Sequence, residues 1–77
     1  MGRLDESIKL YEQIIAKDPS FASAYENMGI AYAIQGKFDQ AEKCFNKALE
    51  LSPNNENIKF NLESMKKDRA ARAQQNP

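Results

Sequence analysis

The stretch that decides the fold is ASAYENMGIAYAIQGKFDQAEKCFNKALELSPNN, residues 22–55. Parts of it recur in the chain at a constant offset of 34 residues, so that Gly2 aligns with Gly36 and Pro19 with Pro53. A fixed period of this length is typical of repeat proteins, in which one unit cannot bury its apolar face alone and stacks on a neighbour. The chain is therefore predicted to be part of a stack of similar units.

Apolar side chains recur at helical spacing in four parts of the chain. The predicted helices cover, approximately, residues 4–17, 21–35, 38–51 and 56–73. An Asp-Pro pair and a Ser-Pro pair mark two of the junctions, because proline removes a backbone donor and clashes with the preceding turn. Gly36 marks the remaining junction, where a left-handed C-terminal cap favours glycine. Ser20 is predicted to cap the second helix, and Asn54 or Asn55 the fourth.

The composition excludes several classes of function. With 77 residues the chain is one domain at most. Lysine and arginine number 11, as do aspartate and glutamate, so no net charge would hold a nucleic acid or an anionic membrane. The chain has no histidine, and its one cysteine, Cys44, is predicted to be a buried core residue. No catalytic, cofactor-binding or metal-binding residues are therefore predicted.

Two further features bear on the compartment in which the protein works. The longest nearly apolar run, Met28 to Ile34, is far shorter than the roughly 20 residues that span a bilayer. The N-terminal residues lack the apolar core of a secretion signal. We therefore expect a cytoplasmic protein.

Residues 22–55 contain small and aromatic side chains at fixed intervals: Tyr25, Met28, Gly29, Tyr32, Phe38, Ala41, Phe45, Ala48 and Pro53. In this pattern the chain resembles the tetratricopeptide repeat family, whose signature runs over 34 residues from an aromatic through leucine-glycine and tyrosine to alanine, aromatic and proline. The resemblance implies an all-α fold of antiparallel helix-turn-helix repeats, here a four-helix fragment of an α-solenoid. It also implies a scaffold that binds proteins and performs no chemistry.

The resemblance divides the single domain, residues 1–77, into one whole repeat between two half repeats. The parts are the second helix of a preceding repeat, the whole repeat, a C-terminal capping helix and a disordered tail: residues 2–19, 22–55, 56–73 and 74–77. The capping helix is predicted to be solvated, because Glu63 replaces the glycine of the pattern. Its basic residues are interpreted either as a solvated face or as a site for an acidic partner: Lys66, Lys67, Arg69 and Arg72.

The resemblance further implies a concave surface, lined by the first helix of each repeat, that holds a peptide or helix of a partner protein. The residues that map to this surface are Ser23, Glu26, Asn27, Ile30, Ala33, Ile34, Phe60, Asn61 and Ser64. Asn27 and Asn61, one repeat apart, either hydrogen-bond the backbone of an extended ligand or serve local helix contacts. Phe60 lies off the apolar stripe of its helix, so it is either exposed for binding or tucked against the second helix of the array.

Some members of the family clamp the C-terminal carboxylate of cytosolic chaperones with lysine and asparagine side chains on that surface. In this chain Glu26 and Ile30 stand where a lysine and an asparagine would be needed. The carboxylate of Glu26 would repel a carboxylate ligand. The sequence therefore argues against this particular activity.

The first helix has no predicted neighbour on one side. Gly2 falls at a turn position of the repeat, so Met1 is expected to begin a piece of a longer array or an engineered segment. Ile8, Ile14 or Ile15 is then expected to be partly exposed and available for self-association. The alternative function is accordingly a self-associating structural unit that forms homo-oligomers by end-to-end stacking or helix exchange and has no peptide ligand. A third alternative is a regulatory appendage of an enzyme whose catalytic residues lie outside this segment.

Overall fold

The computed structural model describes residues 2–75 and the side chains of residues 3–73. Its regular structure consists of four helices: α1 (Gly2–Lys17), α2 (Ala22–Ile34), α3 (Phe38–Leu51) and α4 (Glu56–Gln75). Short turns at residues 18–21, 35–37 and 52–55 join them. Because such short turns make consecutive helices antiparallel neighbours, the predicted all-α fold of helix-turn-helix units is confirmed.

The main core lies where α3 packs against α2 and α4. Ala41, Phe45 and Ala48 of α3 are each at most 1% exposed. Gly29 of α2 lies on the Phe45 ring, where a Cβ atom would come within 2.9 Å of Cε1. The lack of a side chain at Gly29 therefore lets α2 and α3 approach closely. The residues that α4 adds to this core are Ile58, Leu62 and Met65.

A second apolar cluster joins α1 to α2 and α3. Its buried members are Ile8, Met28, Ala31 and Cys44. Ile8 is only 7% exposed, so of the three isoleucines named for exposure and self-association it is the one that the structure excludes. It is buried because it lies on the side of α1 that packs against α2 and α3. Ile15 is half-buried against the same cluster, whereas Ile14 is 37% exposed.

Gly36 ends α2 in the left-handed conformation, with a φ angle of 81°. Its N–H donates to the carbonyl oxygen of Ala33 at 3.0 Å, and the N–H of Lys37 donates to the carbonyl oxygen of Tyr32 at 2.9 Å. This pair of bonds is a Schellman motif, which satisfies carbonyl groups that the helix end would otherwise leave unpaired. The predicted C-terminal cap is confirmed.

The predicted N-terminal caps are found at one helix and not at the other. Oδ1 of Asn55 accepts the N–H groups of Asn57 at 2.9 Å and Ile58 at 3.3 Å, so Asn55 caps α4. No side-chain hydrogen bond caps α2. The hydroxyl of Ser20 donates instead to Oδ1 of Asp18 at 2.7 Å. The prediction for Ser20 is wrong because α2 begins at Ala22, so that Phe21, which has no polar side chain, occupies the N-cap position.

The last helix is longer than predicted. α4 has 20 residues and α2 has 13, because Ala70 stands 34 positions after Gly36 and no glycine ends the helix there. α4 continues to Gln75, into the segment predicted to be a disordered tail, whose residues 76–77 lie outside the described part. Within residues 2–75 no helix combines the length and apolarity needed to cross a bilayer.

Two arginines hold the second half of α4 against the beginning of α3. Nη1 of Arg69 lies 3.0 Å from Oε1 of Glu42 and 3.9 Å from Oδ1 of Asp39. The guanidinium carbon of Arg72 lies 5.2 Å from the centroid of the Phe38 ring, which is a cation–π contact. Both arginines are therefore engaged within the chain, a role that neither interpretation of the basic residues included.

Candidate protein-binding surface

Two grooves run along the two sides of α2. The wide groove, of about 400 Å³, lies between α2 and α4, and the narrow groove, of about 180 Å³, lies between α1 and α2. Both combine apolar side chains with a few polar ones. The wide groove is lined by Ile30, Ala33, Ile34, Phe45, Asn61, Ser64, Met65, Asp68 and Arg72. The narrow groove is lined by Leu4, Ser7, Tyr11, Asn27, Ile30, Ala31 and Ile34.

Ile30 and Ile34 line both grooves and form the ridge between them, here called the isoleucine ridge. They are four residues apart, so they lie one above the other on the same face of α2. Ile30 is half-buried and Ile34 is 61% exposed. Phe45 and Met65, at 1% and 2% exposed, form the apolar floor of the wide groove. The surface therefore presents an exposed apolar ridge beside a buried apolar floor.

A side-chain hydrogen bond joins Asn61, a residue of the wide groove, to α2. Nδ2 of Asn61 donates to Oε2 of Glu26 at 2.8 Å. This contact agrees with the interpretation of Asn61 as a residue of local helix contacts. Asn27 is exposed and lines the narrow groove, so the two asparagines face different grooves. An extended ligand would therefore not meet them as an equivalent pair.

The grooves bring together six of the nine residues that the sequence places on the concave surface. The wide groove contains Ile30, Ala33, Ile34, Asn61 and Ser64, and the narrow groove adds Asn27. Ser23, Glu26 and Phe60 line neither groove. Phe60 is 70% exposed, so it is not tucked against another helix. A binding role for any of these residues stays a prediction.

Sequence reasoning missed part of the lining of each groove. Tyr11 lies on α1, which corresponds to the second helix of a repeat, whereas the resemblance predicts the surface only on first helices. Asp68 lies 34 residues after Ile34, so the repeat offset would have identified it. Arg72 was not identifiable in this way, because it lies beyond the point at which a regular repeat would turn.

Two ionisable side chains below this surface, Cys44 and Tyr32, have pKa values raised above their ordinary values, which makes them less reactive at neutral pH. Burial, and after it the charge of Glu12, raises the pKa of the Cys44 thiol to about 11. Burial, followed by the charges of Glu12 and Cys44, also raises the pKa of Tyr32. Cys44 is therefore a protonated core thiol at neutral pH, as predicted. Within residues 2–75 no group of three or more acidic, cysteine or histidine side chains is arranged to hold a metal ion.

Comparison with known proteins gives two matches to family models. Residues 22–55 match the model described as tetratricopeptide repeat. Residues 1–36 match a second model, described as TPR repeat. Between them the two matches cover residues 1–55.

Several curated proteins are similar to this chain over most of its length. The small glutamine-rich tetratricopeptide repeat-containing protein of Dictyostelium discoideum is 40% identical over 77 residues, which are 100% of this chain and 23% of that protein. Human tetratricopeptide repeat protein 6 is 36% identical over 79% of this chain and 12% of its own length. Hsp70-Hsp90 organizing protein 2 of Arabidopsis thaliana is 31% identical over 75% of this chain and 10% of its own length.

The chain thus spans less than a quarter of each of these relatives. Two of the three carry the repeat in their names. The segments that match the family models contain α1, α2 and α3, together with the glycine contact at Phe45 and the left-handed turn at Gly36. On these grounds the chain belongs to the tetratricopeptide repeat family.

Proposed function

We propose that the two grooves and the isoleucine ridge bind a segment of a partner protein, and that the chain acts as an interaction scaffold without chemistry of its own. The observation that carries the proposal is the 61% exposure of Ile34 beside the apolar floor of the wide groove. An exposed aliphatic side chain next to an apolar groove with a few polar groups is typical of a binding face. The family's general role in protein-protein interaction supports the same assignment.

The partner is proposed to be a protein rather than a nucleic acid or a membrane, because the chain carries 11 basic and 11 acidic residues. The name of the Arabidopsis relative connects that protein with Hsp70 and Hsp90, but this chain spans 10% of it. Capture of a chaperone carboxylate is disfavoured here, because Glu26 is acidic and Ile30 offers no amide. A cytoplasmic location stays a prediction from the sequence.

The proposal is tested by quantitative affinity capture from a cell lysate with the 77-residue chain and two variants. Ile34→Lys places a charge on the ridge, and Phe21→Lys makes the same kind of change at a residue that is 45% exposed and lines neither groove. We expect proteins that bind the chain to be lost with Ile34→Lys and retained with Phe21→Lys. Equal capture by all three proteins would contradict the proposal.

A second candidate function is self-association through α1. Leu10 and Ile14 are 58% and 37% exposed, although the repeat equivalent of Leu10 is the buried Cys44. Ile15 is half-buried against the cluster that contains Ile8, so neither of these residues belongs to the exposed face. Sedimentation equilibrium at several concentrations tests this function, with a monomer mass of 8.7 kDa as reference. A species that stays monomeric at every concentration would exclude it.

A further inference from the structure

The exposed side of α1 carries both apolar and charged residues, and their order along the helix indicates what covers it. We infer that two copies of the chain pair through this side of α1 in an antiparallel, two-fold symmetric dimer. In this dimer Leu10 of one copy packs against Ile14 of the other, and Glu6 lies opposite Lys17. The inference rests on the second candidate function, self-association through α1, and specifies its geometry.

Four side chains share the exposed side of α1, here called the α1 face: Glu6, Leu10, Ile14 and Lys17. Their spacings of four, four and three residues place them on one side of the helix. Leu10 and Ile14 are 58% and 37% exposed. The side chains that pack α1 against the rest of the chain, among them Leu4, Ile8 and Ile15, lie on the opposite side. The α1 face is therefore an apolar pair with a charge of opposite sign at each end.

This face is complementary to itself only when the two helices run in opposite directions. Leu10 and Ile14 are centred on position 12, and Glu6 and Lys17 are centred within one residue of the same point. One two-fold axis at that point therefore brings Leu10 opposite Ile14 and Glu6 opposite Lys17, twice each. Parallel helices would put Glu6 beside Glu6 and Lys17 beside Lys17. Antiparallel helices also place opposite ends of their macrodipoles next to each other.

Both charges of the α1 face are available for contacts between copies. Glu6 and Lys17 are exposed, and neither forms an ion pair with the side chains that the structure describes. The neighbouring Asp5, by contrast, accepts a hydrogen bond from Gln35 at 2.7 Å. Arg3 lies one turn before Glu6, so in the antiparallel arrangement it approaches the C-terminal end of the other α1, where the macrodipole is negative. The charges along the face thus favour a second copy in this orientation.

The other exposed surfaces of a second copy fit the α1 face less well. The exposed row on α4 consists of Lys59, Glu63 and Lys66, which offer no apolar partner. The isoleucine ridge is apolar, but its contact with the α1 face would join two different surfaces and leave one of each uncovered, so that further copies would add. A two-fold contact through α1 covers the face in both copies and closes at two.

Exchange of the two charges tests the orientation by sedimentation equilibrium. Glu6→Lys puts a lysine opposite Lys17, and Lys17→Glu puts a glutamate opposite Glu6, so each is expected to weaken the dimer about threefold or more. The double variant restores both opposite pairs and is expected to dimerise like the parent. A parallel dimer would show no loss in the single variants, and a contact with a different surface would show no recovery. Either result would overturn the inference.

A charge within the apolar pair tests the rest of the contact. Leu10→Lys is expected to weaken the dimer about tenfold or more, because it places a charge between two packed helices. Ile34→Lys makes the matched change at a residue that is 61% exposed on the isoleucine ridge, and it is expected to leave the dimer unchanged. Circular dichroism of every variant checks that the helices persist. Weaker dimerisation of Ile34→Lys would mean that the α1 face binds the ridge, and would overturn the inference.

Disulfide cross-linking measures the same orientation without altering the charge pattern by reversal. Glu6→Cys and Lys17→Cys proteins are mixed in equal amounts and oxidised, while the native Cys44 is buried. Antiparallel pairing brings the two introduced thiols together, so the expected product is the disulfide between the two different variants. Disulfides of each variant with itself would overturn the inference.

The failure of the inference and the failure of self-association give different results. A chain that stays monomeric at every concentration would overturn both. Dimers that persist in Leu10→Lys, or that cross-link each variant with itself, would overturn only the geometry. Binding of other proteins by the grooves is judged separately, by the effect of Ile34→Lys on capture from a lysate.

Discussion

Gly29 of α2 packs against the ring of Phe45 of α3 so closely that a methyl group would not fit between them. A Cβ atom on Gly29 would lie 2.9 to 3.1 Å from three carbons of that ring. The ring is only 1% exposed. This contact sets the distance between the two helices of the complete repeat, and it also positions Phe45 as the floor of the wide groove.

Replacing this glycine is expected to destabilise the protein. Alanine improves helix propensity by about 1 kcal/mol, but overpacking a core contact costs about 1–3 kcal/mol. We expect Gly29→Ala to lower the free energy of unfolding in urea. The double variant with Phe45→Leu should recover part of the loss, because the two residues are in contact. If the Gly29→Ala protein were as stable as the parent, α2 and α3 could move apart without a cost in free energy, and the prediction would be wrong.

Arg69 is expected to hold the last two turns of α4, which lie beyond the length of α2, against α3. Arg69 bonds to Glu42 at 3.0 Å while both side chains are about one third exposed. Arg69→Gln should therefore cost about 0.5 kcal/mol and increase amide hydrogen exchange in residues 69–75. Lys67→Gln, at an exposed position of the same helix, is the matched control. Identical exchange in the two variants would contradict this role.

The buried thiol is expected to make stability depend on alkaline pH. The pKa of Cys44 rises from an ordinary value of 9.0 to about 11 in the folded protein. Its contribution is therefore complete below pH 9 and is lost as the pH rises from 9 to 11, because the unfolded thiol ionises first. We expect urea-unfolding free energies to fall over this range, and to fall less in Cys44→Ala. The raised pKa of Tyr32 leaves a residual slope in that variant. If the free energy of unfolding fell equally steeply with pH in the parent and in Cys44→Ala, the pH dependence could not come from Cys44.

The hydrogen bond between α2 and α4 is expected to contribute to stability rather than only to binding. Asn61→Ala removes the donor to Glu26 and should cost about 0.5–1.5 kcal/mol. Glu26→Gln keeps an acceptor oxygen and should cost less. Asn27→Ala removes an exposed amide and serves as the control. Thermal unfolding of the single and double variants measures the coupling, and additive losses would mean that the bond contributes nothing.

The exposed aromatic ring of α4 is expected to be dispensable for both folding and groove binding. Phe60 is 70% exposed and lines neither groove. We expect Phe60→Ala to change the free energy of unfolding by less than about 0.5 kcal/mol and to leave the affinity of a groove-bound peptide unchanged. Weaker peptide binding in this variant, measured by fluorescence anisotropy, would extend the binding surface beyond the grooves.

Most of the fold was predictable from residues whose effects are local. The helix junctions follow from proline and glycine, and the left-handed turn at Gly36 follows from its position after the last periodic residue. Caps were less predictable because a shift of one residue in the start of a helix moves a polar side chain out of the N-cap position, as at Phe21. Asn55 caps its helix, whereas Ser20 bonds to Asp18.

The binding surface was predictable only in part, because membership of a groove depends on the neighbouring helices. The family resemblance placed the ridge residue Ile34 on the surface, and the 34-residue offset from Ile34 would have added Asp68. It did not identify Tyr11, which reaches the surface because α1 packs beside α2. Nor did it separate Phe60 from the lining, since a helix position alone does not define which neighbour it faces.

The sequence by itself determined the four helices, their junctions and the repeat family, because helical periodicity, proline, glycine and the 34-residue offset act within one or two units of the chain. The tertiary structure alone decided that Ile8 is buried, that Arg69 and Arg72 bind back to α3, and that two grooves meet at one ridge. Burial and groove shape depend on which side chains two packed helices bring together, and that information is not contained in the spacing within either helix.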